Sequence, residues 1–300
     1  DNTILYGQTD EQIASAISDY NPDIIGISAL FSNLAESAHS IARIAKQVNP
    51  NIKTVLGGNH LSNSVIDYLH AKAHPGSNMP IRLFDMEDEN IDCAMRGEVD
   101  FEFPKLVHAL LNGGSLSEIS GLVMRKNRKA DGTLEYLINE APDRLDIARL
   151  PVSPLWEPEA MKKYFQIGAF HHPYLRQKHR DANGNFTDEA RVLPVMASRG
   201  CPERCNFCTT PQMWGQRVRW RKVEDILEGI RIAVKTYGRI DEIQWEDDTL
   251  TANKSFLYEL CIGLEKIGIP SCTPNGTKAN YHTNNEEMYK VMHGAGFYQV

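Results

Sequence analysis

Short aliphatic runs separated by stretches of helical periodicity fill the N-terminal third of the chain and restrict it to one class of fold. Asp10–Asp19 places Ile13, Ala14 and Ile17 on one helical face, Pro22 breaks the chain, and Asp23–Ser28 reads as a buried strand. Leu34, Ala38, Ile41, Ala42, Ala45 and Val48 then recur at helical spacing until Asn49-Pro50. Lys53–Leu56 is a further strand closed by Gly57-Gly58. Asp92–Met95 is a later one, leading through Arg96-Gly97-Glu98 into a helix over Phe101–Leu111. Thr3–Tyr6 reads as a strand before all of these. Strands alternating with helices imply right-handed crossovers. The expectation is an α/β, doubly wound, parallel-sheet (Rossmann-like) domain over residues 1–123.

Sheets of this kind bind ligands outside the carboxyl ends of their strands. The residues at those ends are Ser28 and Leu30, then Gly57, Gly58, Asn59 and His60, then Arg96, Gly97 and Glu98. Paired glycines after a strand let a bulky ligand approach the backbone, or they simply make a tight turn. A lone histidine such as His60 is more often a surface or turn residue than a ligand. No Gly-rich dinucleotide fingerprint is present.

Composition narrows the functional classes. With 300 residues, 42% apolar and 24% charged, the chain can bury a sizeable core and is not a disordered or low-complexity sequence. A net charge of −7 argues against broad nucleic-acid binding. No apolar run is long enough to span a bilayer and no leader opens the chain, so a cytoplasmic protein is expected. The start at Asp1 and the hydrophobic run Phe297–Val300 are read as the ends of a piece of a longer protein. Residues 124–190 read as a connector. Lys126–Gly132 forms a hairpin tip, Pro151, Pro154 and Pro158 interrupt regular structure, and Arg176–Asp188 is a polar stretch. His171, His172 and His179 are given no role.

Of six cysteines, Cys93, Cys261 and Cys272 are scattered, whereas Cys201, Cys205 and Cys208 are spaced C-x3-C-x2-C. They follow a mostly apolar strand, Arg191–Ala197, and precede a helix over Val223–Tyr237. Thiols at a strand end, where barrel enzymes keep their chemistry, fit an iron–sulfur cluster. Three thiolates on a four-iron cubane leave one iron open to a substrate or cofactor. The structural alternative is zinc, with His282 as a distant fourth ligand. An electron-transfer protein would need a fourth cysteine, for which Cys261 and Cys272 are irregularly placed. Beyond the loop, a strand over Ile240–Trp245 ends in Glu246-Asp247-Asp248. Their mutual repulsion asks for a cationic partner. A helix over Thr251–Gly268, a strand over Ile269–Asn275 and a helix over Thr283–His293 continue the pattern. Arg217, Arg219 and Arg221, interleaved with Trp214 and Trp220, are a solvated basic face or a site that neutralises an acidic substrate.

C-x3-C-x2-C with Phe207 before the third cysteine resembles the signature of the radical S-adenosylmethionine (SAM) superfamily. The preceding Ser198-Arg199-Gly200 and the Cys201-Pro202 opening fit its cobalamin-carrying branch. Asp23–Leu30, Val55–His60 and Met95–Glu98 resemble the cobalamin-binding domain that precedes many such enzymes. The resemblance implies a partial (β/α) barrel over residues 191–300. It implies a [4Fe–4S] cluster on Cys201, Cys205 and Cys208 whose open iron chelates SAM, with the backbone around Phe207 facing the adenine. Glu246-Asp247-Asp248 takes the place of a Gly-Gly-Glu that holds the SAM amino group, and Asn275 is placed to touch ribose or carboxylate. Ser28 and the Gly57-Gly58 pair would line the channel for the cobalamin nucleotide tail. The implied activity is reductive cleavage of SAM to a 5′-deoxyadenosyl radical and transfer of methyl from methylcobalamin to a substrate carbon. Rearrangement, cyclisation or ring contraction on the same architecture, or a non-catalytic binding module, are the alternatives. The implied partners are a small-molecule substrate and an external electron donor such as flavodoxin or ferredoxin.

Overall fold

A computed structural model of the protein describes residues 8–78, 82–151, 161, 165, 191–278, 281 and 285–299. The expected strand at Thr3–Tyr6, the connector histidines and His282 lie outside the described residues. The chain divides into two compact units, 1–145 with 212–214 and 146–211 with 215–300.

The first unit opens with α1 (Asp10–Tyr20). The Thr9 hydroxyl accepts the Gln12 N–H at 3.3 Å, and the Gln12 side chain accepts the Thr9 N–H at 2.9 Å. This reciprocal capping satisfies two donors that would otherwise be orphaned at the helix start. Then follow β1 (Ile24–Ser28), α2 (Ala35–Val48), β2 (Lys53–Gly57), α3 (Asn59–Ala73), β3 (Cys93–Met95) and α4 (Glu102–Asn112). β1 pairs parallel with β2 from Ile24↔Lys53 to Ser28↔Gly57, and β2 pairs parallel with β3. Alternation along the strands feeds two cores. Leu56, Ala94 and Val123 pack with Leu61 and Val65 of α3 on one face, and Val55, Cys93, Met95 and Leu122 pack with Leu106 of α4 on the other.

The sheet continues past the expected boundary. β4 (Leu122–Arg128) pairs antiparallel with β3, and β5 (Leu134–Ile138) pairs antiparallel with β4, giving the order β1-β2-β3-β4-β5. The stretch read as the start of a connector is therefore the edge hairpin of the first sheet, its tip at Lys129–Thr133, and the unit runs on to Leu145. The reason is burial: at the start of β4, Leu122 and Val123 are fully buried, one in each of the two cores.

In the second unit β6 (Val192–Val195) leads to a two-stranded ribbon of β7 (Ser198–Arg199) and β8 (Arg219–Trp220); between them in sequence is the short α5 (Thr210–Trp214), whose last three residues fall in the first unit. Next come α6 (Val223–Tyr237), β9 (Glu242–Trp245), α7 (Lys254–Ile267), β10 (Ser271–Cys272), α8 (Glu286–Gly294) and β11 (Phe297–Gln299). Their sheet is parallel, in the order β11-β10-β9-β6, as repeated strand–helix units require. Leu193, Ile243, Trp245 and Phe297 face the helices and pack with Ile226, Ile230, Leu257, Leu260, Met288 and Met292. Trp245 is fully buried and stacks on Phe297. Truncating such a side chain costs about 3–5 kcal/mol.

The opposite face of this sheet is polar. Glu242 is fully buried, yet it accepts from Tyr298 Oη at 2.7 Å, Gln244 Nε2 at 2.9 Å and Cys272 Sγ at 3.3 Å. A buried carboxylate is tolerable only with such donors. Parallel pairing brings the carboxyl ends of β6, β9 and β10 to one edge, where Ala197–Ser198, Glu246–Asp248 and Thr273–Asn275 emerge.

Candidate active site at the strand ends

The cysteine loop is held at both ends by backbone geometry. Gly200 has φ +107°, and a Cβ there would lie 2.6 Å from the Arg217 carbonyl oxygen, so only glycine lets the ribbon close. The Cys201 N–H donates to Gly215 O at 3.2 Å and the Cys208 N–H to Cys205 O at 3.1 Å. All three thiols are free; Cys205 is exposed, Cys201 and Cys208 half-buried. Glu203, inside the loop, accepts from Tyr281 Oη at 2.6 Å and from Lys278, whose ammonium helps hold its carboxyl below the usual range. Phe207 is 86% exposed on the same loop, free to stack on a flat ligand.

The three acids after β9 have different duties. Asp247, only 2% exposed, accepts the Ala197 N–H at 3.0 Å and the Ser198 hydroxyl. It is a brace that fixes the entry to the cysteine loop. Burial pushes its carboxyl up to about 7. Asp248 accepts from Thr210 Oγ1 at 3.3 Å, which ties the start of α5 to the same edge. Glu246 continues the ladder through its N–H to Val195 O at 2.8 Å, but its carboxylate takes no hydrogen bond from the described residues. Its half-burial raises its pKa. Asp248 keeps its second oxygen and Glu246 its whole carboxylate as acceptors for a cation. Asn275 donates from Nδ2 to Asp247 O at 3.4 Å, so it supports the brace.

Three thiolates on one loop match three irons of a [4Fe–4S] cubane, which leaves the fourth iron without a protein thiolate. Among the described residues no three His, Cys, Asp or Glu side chains converge as a single-ion site, whereas a cubane takes one thiolate on each of three different irons. Three cysteine thiolates on one loop are the donor type such a cluster takes.

In the first unit, the strand-end residues form a rim stitched together by backbone. The Ala29 N–H donates to Gly57 O at 2.9 Å and the His60 N–H to Ala29 O at 3.1 Å. Gly58 has φ +99°, and a Cβ there would lie 2.4 Å from the Ala29 carbonyl oxygen. The glycine is thus demanded by the neighbouring loop itself. The Ser62 hydroxyl accepts the Gly97 N–H at 3.2 Å and donates to Gly58 O at 3.0 Å, joining the ends of β2 and β3. Ser28 and Leu30 are exposed on either side of buried Ala29. The side-chain oxygen of Asn59 is buried without a partner.

Other residues at these strand ends make structural contacts. Arg96 donates from Nη2 to Asn139 O at 2.9 Å, and Glu98, 5% exposed, accepts the Leu145 N–H at 2.9 Å. Both fasten the edge hairpin and the chain leaving it. His60 is clamped, with Nδ1 3.0 Å from Ser32 Oγ and Nε2 3.2 Å from Asp85 Oδ1. Asp85 also lies 3.1 Å from Nε2 of His39, whose Nδ1 is 2.7 Å from Asp88. Sequence reasoning missed this His39–Asp85–His60 chain, and missed Ser62, Ser198 and Thr249 as anchors. Each is polar, and only the folded chain shows it to be half or wholly buried.

Comparison with known proteins matches a separate family model to part of each unit. A B12 binding domain model matches residues 3–76 and a radical SAM superfamily model residues 195–300. The chain is 30% identical over its whole length to cytidylyl-2-hydroxyethylphosphonate methyltransferase of Streptomyces wedmorensis, covering 53% of that protein. It is 31% identical over 97% of its length to the uncharacterized methyltransferase PH0819 of Pyrococcus horikoshii, again covering 53%. The chain thus spans about half the length of the curated relatives it matches. In fold it resembles the radical SAM methyltransferase TsrM of Kitasatospora setae, with TM-score 0.66 at 12% identity over 99% of this chain and 51% of that one. Two domain models in this order, and two full-length alignments that run through both, place the chain among the radical SAM enzymes that carry a B12-binding domain.

Proposed function

We propose that this chain is the cofactor-holding part of a cobalamin-dependent radical SAM methyltransferase that alkylates a carbon of a small-molecule substrate. The observation that carries the reading is the strand-end edge of the second unit, where three free thiols share one braced loop and Glu246, at the end of β9, takes no side-chain hydrogen bond from the described residues. Cys201, Cys205 and Cys208 would hold the cluster, and Glu246 would receive the SAM ammonium. Phe207, by its exposure, would offer backbone and ring to the adenine. Ser28, Leu30, Gly57 and Asn59, on the rim of the first sheet, would flank cobalamin. When bound, the cluster and SAM supply a carbon radical and cobalamin supplies the methyl group. The chain's own work is to orient these groups, with the cysteine loop held by Asp247 and the rim held by Ser62. Methyl transfer is favoured over other radical outcomes because the two relatives that are 30% and 31% identical over at least 97% of this chain are named methyltransferases, whereas a cyclase aligned over 97% of it is 25% identical. Reduction of the cluster would come from an external one-electron donor such as flavodoxin or ferredoxin.

The test is anaerobic reconstitution of the full-length protein with iron, sulfide and hydroxocobalamin, followed by SAM and reductant. 5′-Deoxyadenosine and S-adenosylhomocysteine are expected together, and Cys205→Ala should abolish the first. 5′-Deoxyadenosine alone, with cobalamin still bound, would favour rearrangement or cyclisation. Neither product with any candidate substrate, despite a confirmed cluster, would favour a binding module.

A further inference from the structure

Thr249 is 3% exposed, at the turn that carries the chain from the acids after β9 into a 3-10 turn over Leu250–Ala252. Its backbone carbonyl accepts the Ala252 N–H at 3.2 Å, which fixes the turn. Its hydroxyl lies 3.2 Å from Cys201 Sγ, a residue 48 positions earlier. A buried hydroxyl is costly to leave without a partner. A thiolate bound to iron is an acceptor only, so the direction of this hydrogen bond is fixed once Cys201 is a ligand: Thr249 Oγ1–H donates to sulfur.

Hydrogen bonds to cluster sulfurs are among the levers that set the potential of an iron–sulfur centre, because they stabilise the more negative, reduced state. The need for such a donor is local. Glu246, Asp247 and Asp248 precede Thr249 directly in the chain and place carboxyl groups at the same strand end, an environment that disfavours adding an electron. We propose that Thr249 is a positioning residue that aims Cys201 and raises the reduction potential of the cluster through its hydroxyl. This inference rests on the reading of Cys201 as a cluster ligand.

The experiment is a redox titration of the reconstituted full-length protein, followed by the electron paramagnetic resonance of the reduced cluster, for wild type, Thr249→Val and Thr249→Ser. Only the cluster-loaded fraction gives the signal, so partial loading does not distort the midpoint. At the potential that half-reduces the wild-type cluster, Thr249→Val should raise the oxidised-to-reduced ratio about tenfold, equivalent to about 59 mV for one electron. Thr249→Ser should restore the wild-type value. An unchanged midpoint in Thr249→Val overturns the proposal and leaves the cluster reading intact. Wild-type protein with no [4Fe–4S] signal overturns both. A measurement on the wild type guards against a valine variant that takes up no cluster. Its iron–thiolate stretches in the resonance Raman spectrum should shift in deuterium oxide, and stretches insensitive to deuterium overturn the proposal however the variants behave.

Discussion

Asp247 holds the Ala197 N–H at 3.0 Å across 50 residues of sequence, and the same carboxylate takes the Ser198 hydroxyl. The end of β6 and the end of β9 are thereby locked together where the cysteine loop departs. Parallel pairing stops at Val195↔Trp245, and the Glu246 N–H to Val195 O bond is the last rung of the ladder. Past that rung the backbone of the loop entry would be orphaned in a buried place, and the Asp247 side chain supplies the missing acceptor. The acidic trio that reads in sequence as a cation site is thus first a device for holding the loop.

The brace predicts a pH dependence of stability. Burial pushes the Asp247 carboxyl up to about 7 from its ordinary 3.8, against the hydrogen bonds from Ala197 and Ser198. Between those values the folded chain keeps a proton that the unfolded chain has released. The stability from this group is therefore fully present below 3.8 and declines as pH rises toward about 7. Chemical unfolding of the wild type across this range should show that slope, and Asp247→Asn should remove it. The variant should also lose about 1–3 kcal/mol, because an amide cannot accept all the donors the carboxylate serves. A pH slope equal in variant and wild type would assign the titration elsewhere.

Gly58→Ala should destabilise the first unit whether or not cobalamin is present. The substitution needs φ +99° in an L residue and drives its Cβ to 2.4 Å from Ala29 O. The strained backbone alone costs about 1–3 kcal/mol, and the Ala29 loop must shift as well. The unfolding midpoint of the protein without cobalamin should fall, and Gly57→Ala, whose nearest contact would be an ordinary 3.7 Å, should fall less. Equal midpoints for the two variants would show that the loops move apart without penalty.

The fold was largely legible because burial writes a period into the chain. Ile25 and Ile27, Val55 and Leu56, Ile243 and Trp245 sit where aliphatic runs place strands, and Ala38, Ala42 and Ala45 mark the inner face of α2. The hairpin of β4 and β5 reads as part of a connector because Arg125–Arg128, the exposed outer half of β4, is basic and polar. The cysteine loop was legible because three thiols at short spacing have few other uses. The division of labour among Glu246, Asp247 and Asp248 was not, since identical chemistry at adjacent positions is sorted only by which carboxylate turns inward. The same holds for Arg96 and Glu98, whose partners Asn139 and Leu145 are over 40 residues away.

His39 offers a second pH test, in the first unit. Burial lowers its pKa, but hydrogen bonds to Asp88 and Asp85 outweigh this and leave it raised above 6.5. Both ring nitrogens face carboxylates, so the imidazolium is the form that satisfies them. Its stabilising contribution is fully present below 6.5 and is lost as pH rises through the raised folded value. His39→Gln should unfold with a flatter pH profile from mildly acid to mildly alkaline conditions. The nuclear magnetic resonance titration of the His39 ring should give a midpoint above 6.5, and a midpoint below it would mean that desolvation wins.

Glu246 carries the sharpest functional expectation. Strand alternation places it on the polar face with Gln244 and Glu242, and its carboxylate takes no hydrogen bond from the described residues. Half-burial raises its pKa, a penalty that an ammonium group would reverse by favouring the charged form. Glu246→Gln keeps the shape and removes the charge. Losing a charge-assisted hydrogen bond of about 1.5–3 kcal/mol should weaken SAM binding by roughly tenfold to a hundredfold, while iron content and the cluster spectrum stay at wild-type values. Calorimetric titration of SAM into the cluster-loaded variant measures the first, and iron analysis the second. Asp247→Asn should do the reverse and lower iron uptake more than SAM affinity, because it loosens the loop that carries the thiols. Should Glu246→Gln bind SAM as the wild type does, the ammonium must be held by another acceptor and the assignment of Glu246 falls.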